Sequence, residues 1–127
     1  MIVTSLKEIA SSERDVDAGQ WRSRRLVLAE DGAGFSLHDT LVRAGAQYTL
    51  HYTSHIEAVY CIEGEGELVD ESTGHVHRLE PGSLYLLNDH DRHTLRAKTA
   101  MRTVCVFNPA CTGQEVHDEN GAYPAPE

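Results

Sequence analysis

Apolar and polar positions alternate along most of this chain, in short runs divided by turn residues, and that period of two predicts strands. The runs are RRLVLAE, FSLHDTLV, QYTLHYT, EAVYCIEG, GELVDE, HVHRLE, SLYLLN, HTLRA and RTVCVFN. Asp31-Gly32-Ala33-Gly34 separates the first two, which together predict a hairpin; GEG, STG and PG divide later pairs at intervals typical of a barrel or sandwich. Ser5 with Glu8 forms a capping-box pattern, so SLKEIA predicts a short helix or turn. SSERDVDAGQ reads as loop, and 118–127, with two prolines and little apolar content, reads as a flexible tail. The expected fold is an all-β, single-domain barrel of antiparallel strands spanning 1–127.

Parity assigns faces within those strands. In QYTLHYT, Tyr48, Leu50 and Tyr52 share the apolar face, while Thr49, His51 and Thr53 share the other. In EAVYCI, Glu57, Val59 and Cys61 share one face and Ala58, Tyr60 and Ile62 the other. Both of those faces are apolar, so the strand is expected to be covered twice, by the interior and by a second sheet or a second subunit.

Composition narrows the class. A chain of 127 residues can bury a core of its own, and 40% hydrophobic with 24% charged residues is ordinary for a globular protein. The formal net charge of −9 argues against a nucleic-acid partner, whose phosphates need a basic surface. The start carries no secretory pattern, and no apolar run reaches membrane-spanning length. Three cysteines, Cys61, Cys105 and Cys111, without a CxxC spacing, indicate neither a disulfide framework nor a zinc knuckle, and fit a reducing cytoplasm.

The candidate chemistry lies in two stretches. Gly45–Gly64 holds His51, His55 and Glu57, and Gly82–His93 reads GSLYLLNDHDRH. Together they resemble the two motifs of the cupin superfamily. The first falls on Gly45, His51, Thr53, Glu57 and Gly64, with Thr53 where a second His is usual. In the second, Gly82 and His93 match, while Asn88, His90 and Ala97 replace Pro, Gly and Asn. Longer stretches, LAEDG at 28–32, HIEAVYCIEGEGE at 55–67, NDHDRH at 88–93 and CVFNPACTGQEVHDENGAYP at 105–124, resemble the ectoine synthase family over nearly the whole chain.

That resemblance implies a jelly-roll-like cupin barrel with a metal site inside. It implies a hydro-lyase that closes N-γ-acetyl-L-2,4-diaminobutyrate into ectoine, a cyclic compatible solute, with loss of water. Glu57, Tyr85 and His93 would be the metal ligands, holding Fe(II); Zn(II) also accepts a Glu and His set. On the residues alone, Tyr85 reads rather as a core aromatic. Tyr52 would join those three as the catalytic group. Trp21, Thr40, Tyr52, Phe107, Glu115 and His117 would contact substrate, and Arg25, from its charge, would meet the substrate carboxylate. Trp21 reads also as packing, and Glu115 and His117 also as tail surface. His55 is expected to support Glu57 or hold a loop, and parity turns His51 away from the metal. The doubly apolar strand and the resemblance together predict a homodimer. A cupin oxygenase and a non-catalytic solute-binding cupin are the alternatives.

Overall fold

The structure, a computed structural model, describes residues 1–113. Two antiparallel sheets face each other. The larger runs in the order β1 (Asp15–Asp17), β2 (Trp21–Val27), β3 (Ser36–Val42), β10 (Met101–Asn108), β5 (Ile56–Glu63), β8 (Leu84–Leu87). The smaller runs β4 (Gln47–Leu50), β9 (His93–Ala97), β6 (Gly66–Asp70), β7 (Val76–Leu79). This is the jelly-roll solution to a chain of short amphipathic strands: the apolar faces of both sheets close on one core. The predicted hairpin forms between β2 and β3, with a 3-10 turn at Ala29–Asp31 in its connection. Ser5 caps the four-residue helix α1 (Leu6–Ile9) by accepting from the Glu8 amide at 3.2 Å.

One expectation is corrected. The polar segment SSERDVDAGQ is not all loop, because Asp15–Asp17 pairs with Arg22–Arg24 as the edge strand β1. Charge rather than apolar alternation holds it there. Arg22 bridges Asp15 with bonds of 2.7 and 2.5 Å, and Arg43 reaches Asp17 at 3.0 Å. An edge strand carrying paired carboxylates is also poorly suited to recruit a stray strand.

Inward side chains form two apolar clusters. One joins Leu28, Tyr52, Val59, Leu87, Cys105, Phe107 and Cys111. The other joins Val42, Ala46, Cys61, Leu68, Leu79, Leu95, Ala97 and Met101, and Tyr85 packs against both. The β5–β6 turn needs its glycine: Gly64 has φ +88, and a Cβ there would sit 2.1 Å from the Ala100 carbonyl oxygen. The outer face of the larger sheet is left open. Ile56, Tyr60, Leu84 and Leu86 are exposed on it, so among the described residues β5 lacks the second cover expected for it.

Candidate active site

The space between the sheets is a narrow cavity of about 50 Å³. Seven of the ten strands send residues into it: Trp21 and Ser23 from β2, His38 and Thr40 from β3, Tyr48 and Leu50 from β4, with Tyr52 just beyond. Glu57 and Val59 enter from β5, Tyr85 from β8, His93 and Leu95 from β9, and Thr103, Cys105 and Phe107 from β10. Seven of the residues singled out in the sequence, Trp21, Thr40, Tyr52, Glu57, Tyr85, His93 and Phe107, therefore share one lumen. Arg25 is buried on the inward parity of β2, and its Nη1 donates to the Gly113 carbonyl at 3.0 Å. Glu115, His117 and the 118–127 tail lie outside the described residues.

His51 is half-buried and does not line the lumen, as parity requires of a residue between Leu50 and Tyr52. His55 is buried edge-on against Phe107, with ring centroids 5.8 Å apart. Phe107 also meets Tyr52 edge to face at 5.3 Å, and Tyr52 and Tyr85 each stand 6.2 Å from the His93 ring. Ser23, Thr103 and Cys105 carried no spacing signal that marks a site. Inward parity on β2 and β10 was the one available clue to them. Tyr85 and His93 also line a larger cleft of about 440 Å³ along the seam between β7 and β8.

The electrostatics of the lumen converge. Glu57 is buried and enters no ion pair among the described residues; its hydrogen-bond partner is the Cys105 thiol. Burial pushes its carboxyl up to about 8. Burial, and then the neighbouring Glu57 charge, raise the Tyr85 phenol well above its ordinary value. Burial also lowers His93. Its Nδ1 lies 2.9 Å from the Asp91 carbonyl oxygen, and a carbonyl only accepts, so Nδ1 carries the proton and Nε2 keeps its lone pair. A carboxyl short of a counter-charge, a phenol and an imidazole with a free Nε2 make a mixed O/N set whose ligating forms a divalent cation would all favour. Clusters of three or more His, Cys, Asp or Glu suited to a metal do not occur among the described residues. Among the described residues, a site here would draw on the Tyr85 oxygen beside Glu57 and His93.

The fold is that of the cupin class. KdgF from Halomonas sp. shares the fold at TM-score 0.65 and 18% identity, covering 75% of this chain and 86% of that one. Far nearer is a crystal structure of ectoine synthase from P. lautus, with TM-score 0.89 and 53% identity, covering 95% of this chain and 87% of that one. An L-ectoine synthase from Saccharopolyspora erythraea is 57% identical over 124 residues, covering 98% of this chain and 92% of the relative. Another from Oceanobacillus iheyensis is also 57% identical, covering 98% and 97%. The family profile described as "Ectoine synthase" matches residues 1–127. The chain belongs to the ectoine synthase family, and its activity is that of a hydro-lyase forming ectoine.

Proposed function

We propose that the chain closes N-γ-acetyl-L-2,4-diaminobutyrate to ectoine, using a divalent metal, Fe(II) in preference to Zn(II), held by Glu57, Tyr85 and His93. In the balanced reaction the α-amine attacks the acetyl amide carbon and closes a six-membered ring. The tetrahedral oxygen then leaves as water with both amine protons, giving a cyclic amidine. The observation that carries the reading is the convergence of a buried carboxyl, a phenol and an Nε2-ready imidazole in one lumen. When bound there, a divalent cation supplies Lewis acidity toward the amide oxygen.

The remaining work falls to the chain. Amine and amide of an extended substrate rarely meet in water, so confinement between Trp21, Tyr52 and Phe107 supplies effective concentration. The same apolar walls exclude bulk water, which favours loss of water over its return. Thr40, buried in the lumen, offers a hydroxyl that orients a polar substrate group. Arg25 is the candidate for the substrate carboxylate, with Glu115 and His117 for the amine and for proton transfer. Tyr52 completes the catalytic group.

The protein acts in the cytoplasm in this reading, as part of the response to osmotic stress. The free, buried Cys61 and Cys105 support a reducing compartment, and no helix among the described residues is long and apolar enough to cross a membrane. It works as a homodimer, the second copy covering the open face around Ile56, Tyr60, Leu84 and Leu86. Incubating the protein with Fe(II) and the acetylated diamino acid without oxygen tests the reaction. Ectoine should form at an undiminished rate. Product that appears only with dioxygen, or binding without turnover, would overturn it.

A further inference from the structure

The β4–β9 ladder runs from Gln47↔Arg96 to Leu50↔His93 and stops there. Tyr52 lies two residues beyond, and its carbonyl faces the Nδ1 of His90, 2.9 Å away. A carbonyl oxygen only accepts, so Nδ1–H of His90 is the donor. His90 reaches it from an unusual backbone: its φ is 53, the left-handed region that costs a side-chain-bearing residue free energy unless something holds it. Among the described residues, only Ser11 and His90 adopt positive φ without being glycine.

Asn88–Arg92, the loop that carries His90, connects β8 to β9 and so joins Tyr85 to His93. It is braced internally: the Asp89 amide donates to Asp91 at 3.2 Å, and the Asp91 carbonyl receives His93 Nδ1–H. The His90 bond ties it to the end of β4, the neighbouring strand of the same sheet. Tyr52 itself is buried, with its ring packed against Phe107 and 6.2 Å from His93.

We propose that His90 is a positioning residue: its left-handed backbone aims Nδ1–H at the Tyr52 carbonyl, tying the loop before β9 to the chain just beyond β4 and holding the Tyr52 ring in the lumen beside His93. The proposal rests on the reading of Tyr52 as a substrate contact only where turnover is the readout.

Two substitutions separate its parts. His90→Gly keeps the left-handed backbone accessible and removes the donor. His90→Asn tolerates the same φ and carries an amide nitrogen at the same number of bonds from Cβ as Nδ1. His90→Gly should raise KM roughly tenfold, the loss of one hydrogen bond's positioning, and lower kcat as well because Tyr52 belongs to the catalytic group, with metal content little changed because Asp91 anchors His93 independently. His90→Asn should restore KM to within roughly twofold of the parent, by the same argument. In a Tyr52→Ala background His90→Gly should add nothing further, since the two act as one unit. Equal KM values for the Gly and Asn variants, or additive effects in the double variant, overturn the proposal. Carbonyl-13C tyrosine labelling supplies a readout independent of turnover. The Tyr52 signal should move in the Gly variant and stay in the Asn variant, and an unmoved signal in the Gly variant overturns the proposal even if the substrate assignment is itself wrong.

Discussion

A carboxyl enclosed as Glu57 is makes the metal-free protein less stable as pH rises. Its folded pKa is about 8 against an ordinary 4.5, so between those values the native chain keeps a proton that the unfolded chain gives up. Stability should therefore be undiminished by this group below pH 4.5 and fall by about 4 kcal/mol on reaching pH 8. Denaturant titrations of chelator-treated protein at pH 5 and 8 measure this. Glu57→Gln should remove the slope, and Fe(II) or Zn(II) should flatten it by stabilising the carboxylate; a parent whose slope matches Glu57→Gln contradicts the burial argument. The ligand set has its own test. Metal analysis should find Glu57→Ala and His93→Ala empty and His51→Ala filled. Tyr85→Phe, which loses only an oxygen, should weaken metal retention roughly a hundredfold, of the order seen when a metal's surroundings are altered. A packing tyrosine would leave metal content and turnover near normal.

At the scale of elements, alternation made nearly every strand legible, because most of those strands turn one apolar face into the core, although β3 and β9 are buried on both faces over part of their length. Strand β1 was not legible: Asp15-Val16-Asp17 has no apolar face, and what holds it is a pair of arginines that only the folded β2 and β3 region brings near. The hydrogen bond from Arg22 chiefly, and then that from the Ser11 amide, hold the Asp15 carboxyl down at about 2, against 3.8 unperturbed. This stabilisation is present above pH 3.8 and lost as pH falls through about 2. Asp15→Asn should speed amide exchange in β1 roughly fivefold at neutral pH, the scale of a modest ion pair. The difference from the parent should vanish in acid below pH 2. Unchanged exchange would mean the backbone ladder alone suffices. The site divides in the same way. Parity put Tyr52 inward and His51 outward, and the lumen follows it. No rule of spacing finds His90, whose part depends on where a ladder ends.

For the whole molecule, the open face of the larger sheet decides the assembly. Ile56, Tyr60, Leu84 and Leu86 form one exposed apolar surface on neighbouring strands β5 and β8. A second copy is the proposed cover, and Leu86→Arg should break it. Light scattering at micromolar concentration should give twice the chain mass for the parent and a single chain for the variant. A monomeric parent would leave the face for some other role.

The order of strands in the larger sheet carries a consequence for how the catalyst comes into being. Strand β10 lies between β3 and β5, with Thr103 beside both Thr40 and Cys61. Two stretches far apart in the chain must meet before that central seam zips, and such long-range closure is the slow part of folding all-β chains. The lumen is built across the same seam, since Thr40, Glu57 and Phe107 come from its three strands. Hairpins formed early hold no complete pocket, so competence to bind must arrive with the last cooperative step. A ribosome-bound fragment lacking β10 would carry Tyr52, Glu57, Tyr85 and His93 without the seam that gathers them into one lumen.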